Sequence, residues 1–239
     1  MIDIHQHIVY GMDDGAEDAE TSFAMLSLAA KQGITEIVCT SHITPGYLKF
    51  DMDRYLRHME KMRKYLEQER IDITLHAGAE ILYTQETPGL LTKGLVPTLG
   101  DSKSVLVEFL PSASIDFIKD AVLSLNYAGY LTVIAHAERY NALHNTLDTV
   151  YTLKKDFSAY IQVNANSILN GAKLFGDPWI KGALKEELVD VVASDTHNTT
   201  ARKCRLSEAY AVIKKKYGVS RAERLFSQNA GSILQYRKP

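Results

Sequence analysis

The chain has 239 residues, 46% hydrophobic and 23% charged, with a net charge of −2. This length suits one domain with a large core, and the small negative charge gives no case for binding nucleic acid or an anionic membrane surface. No apolar run approaches the roughly 18–20 residues that span a bilayer, and polar residues from position 3 onward argue against a signal peptide. Two cysteines do not make a disulfide framework, so we expect a cytoplasmic protein without membrane insertion.

Seven short runs of β-branched and apolar residues recur along the chain, and each is followed by a polar residue suited to chemistry. Runs of this length and composition are typical of buried strands. The sequence contains no low-complexity segment or linker that would divide it. The runs lie at residues 2–5, 35–42, 73–80, 104–109, 131–139, 160–166 and 189–197.

Segments with helical periodicity lie between these runs. The first, 21–33, ends at a glycine and has Thr21 as its expected N-cap. The second, 52–69, places Tyr55, Met59, Met62 and Leu66 on one face, and further helical segments are predicted at 114–129, 147–157, 179–188 and 205–218. Strands that alternate with helices imply parallel βα units, and seven such units predict an α/β barrel.

The polar residues that follow the strands would meet at one edge of such a barrel, where barrel enzymes carry their catalytic groups. Six of the seven runs end in His, Asp or Glu, and the sixth run ends in Asn164 and Asn166. Any one such residue is more often an ordinary polar group at a strand end. Eight at the same structural position indicate a site: His5, His7, His42, Glu80, Glu108, His136, Asp195 and His197.

The first fifteen residues contain a second kind of signal. His5 and His7 are two residues apart, so in a strand they point to the same face. The loop GMDDG at 11–15 can bring Asp14 to the same edge, either as a metal ligand or as a proton donor to a leaving oxygen. Asp13 is assigned to the turn itself. Three further histidines are expected to lie outside the site: His58, His76 and His144.

Five imidazoles and four carboxylates exceed what one metal ion can use, and a set without thiolates suits Mn²⁺, Fe, Co²⁺ or Zn²⁺. Clusters of two or three such ions activate water and neutralise oxyanions in phosphoryl transfer. Arg139 and Arg202 adjoin the ligand blocks, and a guanidinium binds phosphate oxygens in a bidentate fork. The alternative for each arginine is an ordinary surface charge.

The ordered blocks D-I-H-x-H…D-D-G, T-S-H, G-A-E, V-E-F, I-A-H-x-E-R-Y and A-S-D-x-H-N resemble the polymerase-and-histidinol-phosphatase (PHP) superfamily. More narrowly, the chain resembles the bacterial manganese-dependent protein-tyrosine phosphatases of capsule and exopolysaccharide operons, from residue 3 to about residue 236. The resemblance implies a distorted seven-stranded (β/α)7 TIM-like barrel of the PHP type. We expect residues 1–239 to form this single domain, with up to three divalent ions, Mn²⁺ first among them.

The resemblance also implies a role for each candidate residue. It assigns one ion to His5, His7, Glu80 and Asp195, a second to Glu80 as the bridge with Glu108 and His136, and a third to His42, His197 and Asp14. Arg139 and Arg202 match the arginines that contact phosphate in that subfamily.

The implied substrate is phosphotyrosine in the tyrosine-rich tail of a membrane-associated bacterial tyrosine kinase that controls polysaccharide export. Thiol-based tyrosine phosphatases need an arginine six positions after the cysteine, but Pro45 and Tyr210 stand at that offset from Cys39 and Cys204. Two alternatives remain open at this point. One is a histidinol-phosphatase-like enzyme for small phosphomonoesters, and the other is a non-catalytic metal-binding partner of a kinase.

Overall fold

The structure of the protein is a computed structural model that describes residues 1–46, 50–144, 146–172 and 176–237. Within these ranges, seven parallel strands form one sheet in which the spatial order follows the chain order. The strands are β1 (Ile2–Gln6), β2 (Glu36–Ile43), β3 (Thr74–Leu82), β4 (Ser104–Glu108), β5 (Leu131–Ile134), β6 (Tyr160–Asn164) and β7 (Val191–Ala193).

The sheet curves until its last strand meets its first. The backbone N–H of His7 donates to the Thr196 carbonyl at 2.9 Å, and the N–H of Asp195 donates to the His5 carbonyl at 2.9 Å. These bonds join the segment after β7 to β1, so the sheet is a nearly closed barrel flanked by helices. The predicted distorted (β/α)7 TIM-like barrel is confirmed.

The helices lie on the outside of the sheet or at its ends. They are α1 (Ala19–Lys31), α2 (Met52–Glu69), α3 (Thr87–Thr92), α4 (Ile115–Tyr127), α5 (Asn141–His144), α6 (Leu147–Lys155), α7 (Ala165–Gly171), α8 (Pro178–Lys185), α9 (Leu206–Tyr217), α10 (Val219–Glu223) and α11 (Asn229–Gln235). A π-helical turn at Arg224–Gln228 joins the last two. None of the helices within the described ranges is long and apolar enough to cross a membrane.

One predicted helix start was wrong. The first helix begins at Ala19 because the Asp18 side chain accepts a hydrogen bond from the backbone N–H of Thr21 at 2.8 Å. Asp18 is therefore the N-cap, and Thr21 lies in the first turn. An aspartate is at least as good a cap as a threonine, so either residue satisfied the sequence pattern.

Two predicted strands end several residues earlier than the sequence suggested, and two others differ at this end by only one or two residues. The fifth strand ends at Ile134 and the seventh at Ala193, although both apolar runs continue. The backbone of His136 (φ 30°) and of Asp195 (φ 53°) is left-handed, which a β ladder cannot accommodate. Both chain reversals occur at predicted site residues, so strand end and site coincide.

Two hydrophobic cores hold the barrel together. The helices pack on the outer face; α2, for example, buries Tyr55, Met59, Met62 and Leu66, as its periodicity predicted. An inner core fills the barrel and includes Ile233 and Leu234 of α11. The Ile233 carbonyl accepts a hydrogen bond from Ser104 at the start of β4 (2.8 Å), so α11 closes the end where strands begin. Each fully buried aliphatic side chain contributes about 1.5–3 kcal/mol.

Candidate metal centre

The carboxyl ends of the strands form an open edge, the rim, and the predicted histidines and carboxylates meet there. His5 on β1 and His7 just after it are completely buried, and their Nε2 atoms lie 3.1 Å apart. The prediction that these two side chains face one point is therefore correct. We call the full set the rim cluster: His5, His7, Asp14, His42, Glu80, Glu108, His136, Asp195 and His197.

A bulge in β1 contributes to this convergence. Between Asp3 and Gln6 the strand advances three residues, while their partners on β2 are only two residues apart. Ile4, inside this interval, packs in the inner core, and the neighbouring His5 faces the rim. A bulge re-aims side chains in this way and is common beside active sites.

Glu80, near the carboxyl end of β3, lies at the centre of the rim cluster. The residue is 1% exposed. Its Oε1 atom lies 2.7 Å from His136 Nε2, and its Oε2 atom lies within 3.2 Å of one ring nitrogen each of His5, His7 and His42. One carboxylate thus contacts imidazoles from three other strands or their ends.

His42 and Glu108 extend this arrangement toward the solvent. The Nδ1 atom of His42 lies 3.0 Å from Glu108 Oε1, and His136 Nε2 lies 3.7 Å from Glu108 Oε2. The other nitrogen of His42, Nε2, is 3.5 Å from Asp14 Oδ1. His42 therefore lies between Glu80 and Glu108 on one side and Asp14 on the other.

Asp14 and His197 form the outer part of the cluster. Asp14 Oδ1 lies 3.3 Å from His197 Nε2, and the Asp14 side chain is 61% exposed. His197 is buried, and its ring stacks on the ring of His7 with centroids 3.8 Å apart. Within the described residues, its Nε2 atom makes no hydrogen bond, because the nearby Asp14 oxygen is not in hydrogen-bonding geometry. A buried polar atom without a partner calls for a ligand or ion.

The donor atoms fit divalent metal ions. Three overlapping sets have their donor atoms within 4.8 Å of one another. The sets are His7, Asp14, His42 and His197; His5, His7 and Glu80; and His42, Glu80 and Glu108. Nitrogen and oxygen donors without sulfur suit Mn²⁺, Fe, Co²⁺ and Zn²⁺. Together with the unpartnered nitrogen of His197, this chemistry makes the rim a fitting site for more than one ion.

The electrostatic potential at the rim also favours the binding of cations. Burial opposes protonation of His7, but hydrogen bonds to Asp13 and Glu80 raise its pKa to about 10. Burial opposes ionisation of Asp195, but His5 and Arg139 lower its pKa to about 2. The negative potential that stabilises a proton on His7 equally favours a divalent cation.

Both predicted arginines reach the cluster through Asp195. The guanidinium group of Arg139 donates to Asp195 Oδ2. Arg202 donates to Asp195 Oδ1 at 3.3 Å and to Asp14 Oδ2 at 3.1 Å. The two side chains are 45% and 40% exposed, so their guanidinium groups also face the solvent at the rim.

Sequence reasoning missed a structural role at the rim for Asp13. Its side chain is 4% exposed; Oδ2 accepts hydrogen bonds from His7 Nδ1 (2.9 Å) and the His42 N–H (2.8 Å). Oδ1 accepts from the Gly15 N–H at 2.9 Å, as expected of a turn residue. Asp13 therefore shapes the turn and also orients two cluster histidines, as carboxylates do beside metal sites. The only sequence signal was its position beside Asp14.

The sequence also missed the residues of β6. Gln162 and Asn164 are buried and hydrogen-bond to cluster residues. The signal was available, since polar amides interrupt an otherwise apolar strand. In the sequence, this run differs from the other six by ending in asparagine instead of His, Asp or Glu.

The three histidines predicted to lie outside the site do so. The ring of His58 stacks on Tyr10 (3.9 Å), and His76 Nε2 pairs with Glu36 at 2.8 Å. His144 contacts the Glu138 carbonyl, so it lies closer to the rim than the other two. Burial raises the pKa of Cys39 and of Cys204 to about 12, which keeps both thiols protonated at neutral pH.

The seven parallel strands and the cluster at their carboxyl ends define a TIM-like (β/α)7 barrel with a candidate metal centre at its rim. The same fold occurs in the solved histidinol phosphate phosphatase of Lactococcus lactis, which is 13% identical, with a TM-score of 0.57 and 94% of each chain covered. At this identity the likeness concerns the fold alone.

The chain belongs to the family described as capsular polysaccharide synthesis, CpsB/CapC, which matches residues 1–235. It is 36% identical to the tyrosine-protein phosphatase CpsB of Streptococcus pneumoniae, over 98% of both chains. It is 31% identical to the tyrosine-protein phosphatase YwqE of Bacillus subtilis, over 100% of this chain and 95% of that one. The predicted family is confirmed.

A solved structure agrees over almost the whole length. The match has a TM-score of 0.88 at 31% identity and covers 99% of this chain and 96% of the other. It comes from work on YwqE and CpsB, which are described there as unique metal-dependent tyrosine phosphatases.

Proposed function

We propose that this protein is a metal-dependent protein-tyrosine phosphatase. Its substrate is phosphotyrosine on a bacterial tyrosine kinase that is associated with the membrane and regulates capsular or exopolysaccharide biosynthesis. One observation carries the proposal: five imidazoles, four carboxylates and two guanidinium groups converge on one rim. The CpsB/CapC family and its named relatives support the choice of reaction and of substrate.

The rim cluster holds up to three divalent ions, with Mn²⁺ as the first choice and Fe, Co²⁺ or Zn²⁺ as alternatives. When bound, such ions supply an activated water and neutralise charge on phosphoryl oxygens. Glu80 would be a ligand shared by the first and second of these ions, because its two oxygens face different sets of imidazoles.

The side chains around the cluster bind and orient the substrate. Arg139 and Arg202 bind phosphoryl oxygens, since their guanidinium groups already lie beside anionic oxygens of Asp195 and face solvent. Asp14 has two possible roles, as a ligand of the outer ion or as the acid that protonates the phenolic oxygen when the P–O bond breaks. Its exposed side chain beside His197 is compatible with both roles.

The exposed mouth of the centre favours a protein substrate over a small molecule. Asp14, Arg139 and Arg202 are between 40% and 61% exposed, so a tyrosine side chain carried on a peptide can reach them. We further propose that residues 1–239 act as one domain in the cytoplasm. The net charge of −2 supports a partner other than nucleic acid.

The deciding experiment is a phosphatase assay on purified protein, with chelator and after metal is added back. Chelation should abolish hydrolysis of a phosphotyrosyl peptide, and Mn²⁺ should restore it. Full activity of metal-free protein would contradict the metal mechanism. Activity lost in a folded, metal-loaded Cys39→Ser or Cys204→Ser variant would also contradict it, because both thiols are buried and protonated.

The same assay separates the alternatives. Higher kcat/KM on histidinol phosphate than on phosphotyrosyl peptide would identify a small-molecule phosphomonoesterase. Metal binding without turnover on either substrate would identify a non-catalytic partner of a kinase.

A further inference from the structure

Strand β6 contributes no ligand to the rim cluster, yet it places two buried amide side chains beside it. Gln162 is completely buried, and Asn164 is 4% exposed. Their amide groups lie among His5 of β1, His136 after β5 and Asp195 after β7. A buried amide is costly unless its groups are satisfied, so its orientation is set by these partners.

The hydrogen bonds along β6 can run in only one direction. The backbone N–H of His136 can only donate, and it lies 2.8 Å from Gln162 Oε1. Gln162 therefore presents its oxygen there, and its Nε2 donates to Asn164 Oδ1 at 2.8 Å. The Asn164 Nδ2 group is then left to donate to Asp195 Oδ2 at 2.8 Å. In each of these three contacts a donor meets an acceptor, which would fail if either amide were reversed.

The first consequence concerns His5. Its Nδ1 atom lies 3.1 Å from the same oxygen of Gln162, which can only accept. In the neutral imidazole that a metal ion requires, Nδ1 must therefore carry the proton. The lone pair is left on Nε2, the nitrogen that lies 3.1 Å from Glu80 Oε2 inside the rim cluster.

The second consequence concerns Asp195. Its Oδ2 atom accepts from Asn164 and from Arg139, so this oxygen is held away from the cluster. The other oxygen, Oδ1, accepts from Arg202 at 3.3 Å but also faces the cluster histidines, at 3.6 Å from His5 Nε2 and 3.5 Å from His7 Nε2. Oδ1 is therefore the oxygen offered to an ion. One chain of two amides thus orients a ligand of β1 and a ligand after β7.

We propose that Gln162 and Asn164 form a directional relay that selects the His5 tautomer and the Asp195 oxygen available to the first metal ion. Both are positioning residues rather than ligands. The inference rests on the proposed metal centre. It extends that centre to a strand that supplies no ligand of its own.

The direction of the relay provides a sharp test through Gln162→Glu. A glutamate has nearly the same shape and still accepts from His5 and His136. Its second oxygen, however, faces Asn164 Oδ1. If the Asn164 amide reverses to donate to that oxygen, the Asn164 oxygen then faces the Asp195 carboxylate. Two oxygens therefore face each other in either orientation of Asn164. Because a buried carboxylate has a cost of its own, the folding of Gln162→Glu is confirmed by circular dichroism before its Zn²⁺ affinity is compared with that of wild type.

The experiment measures Zn²⁺ binding by calorimetry and the ring N–H proton of His5 by NMR in Zn²⁺-loaded protein. We expect Gln162→Glu to keep the His5 signal. Its Zn²⁺ affinity should nevertheless fall about 10–100-fold, the usual effect of changing a residue that hydrogen-bonds to a metal ligand. Gln162→Leu should lose both the signal and the affinity. The matched control is Thr132→Val, because Thr132 is buried on β5 and its hydroxyl has no partner in the described part of the chain.

The outcomes separate the relay from the metal centre. Equal Zn²⁺ affinity in wild type and Gln162→Glu would overturn the relay and leave the metal centre intact. A wild-type protein that binds no Zn²⁺, Mn²⁺ or Co²⁺ would overturn both. If Gln162→Leu does not fold, as judged by circular dichroism, Gln162→Glu still decides, because it preserves the size and the acceptor atoms.

Discussion

At the scale of single residues, His136 is the proposed ligand whose removal is simplest to interpret. Its ring is buried, and Nε2 points at Glu80 Oε1 at 2.7 Å. His136→Ala should lose bound metal and should reduce kcat/KM by more than the roughly 10–100-fold typical of residues that only support a ligand. Elemental analysis and kinetics on a phosphotyrosyl peptide check this result.

The structure improves the choice of control for that experiment. His144 contacts the carbonyl of Glu138, next to Arg139, so its loss can disturb the rim. His76 instead pairs with Glu36 on the neighbouring strand, away from the cluster. His76→Ala should retain metal and activity. Equal losses in the His76 and His136 variants would mean that the histidines of the rim have been misassigned.

Arg139 should separate phosphate binding from metal binding. A guanidinium group does not ligate a cation, and Asp195 Oδ2 keeps its hydrogen bond from Asn164 when Arg139 is removed. Arg139→Ala should therefore keep its metal. It should lower kcat/KM by about 10–100-fold, because a charge-assisted contact contributes about 1.5–3 kcal/mol. Arg139→Lys should recover only part of this loss, since a point charge cannot form the planar fork. Near-normal kinetics in Arg139→Ala would show that Arg139 is an ordinary surface charge without a role in phosphate binding.

The two possible roles of Asp14 lead to different kinetics. As a general acid, it should matter more for phosphotyrosine than for p-nitrophenyl phosphate, whose leaving group is more acidic and needs less protonation. As a ligand, its loss should lower the metal content and affect both substrates alike. Asp14→Asn, assayed on both substrates with metal content measured in parallel, distinguishes the roles. Unchanged kinetics and metal content would exclude both.

At the scale of elements, the loop at 11–15 is held tightly against β1. A Cβ atom added at Gly15 would lie 2.1 Å from the His7 carbonyl oxygen and 2.5 Å from His7 Cβ. Gly15→Ala should therefore cost about 1–3 kcal/mol, as overpacking does. It should also lower metal content, since the loop carries Asp13 and Asp14. Thermal unfolding and elemental analysis measure both effects.

Gly89 is the matched control for Gly15. It lies in α3, where an added Cβ atom would meet nothing within 4 Å. Gly89→Ala should be neutral or should stabilise the protein by up to about 1 kcal/mol, because alanine favours the helix. A Gly15→Ala variant as stable and as metal-rich as Gly89→Ala would show that the loop can shift without cost.

Sequence patterns predicted the elements well where burial determines them. The helix at 52–69 has the bounds and the buried face that its apolar spacing indicated. Elements that end through a backbone reversal were predicted less well, as β5 and β7 show. A left-handed residue such as His136 or Asp195 is not readable from hydrophobic pattern, because the conformation is imposed by contacts with other strands.

At the scale of the whole molecule, metal binding should stabilise the fold. The rim cluster joins residues from β1, β2, β3 and β4 and from the segments after β5 and β7. An ion bound only by the folded state adds about 2.7 kcal/mol when its concentration is 100 times Kd. For a chain of this size, 1 kcal/mol shifts Tm by about 2–4 °C.

Chelation should therefore lower Tm by several degrees, and Mn²⁺ should restore it, as calorimetric scans would detect. His76→Ala should show the same shift as wild type, and His136→Ala a smaller one. An identical Tm with and without chelator would contradict a structural contribution of the ions.

The amino-acid sequence by itself determined the alternation of strands and helices and the chemical group at each strand end. Both follow from local periodicity and from the rule that parallel strands end at one edge. It could not show that Asp13 and Gln162 bond to cluster histidines, because those partners lie on or after other strands: His42 for the first, His5 and His136 for the second. Only the tertiary structure decided these pairings, the bulge in β1 and the closure by α11. Register, curvature and long-range packing place distant residues within hydrogen-bond distance, and no local pattern encodes those distances.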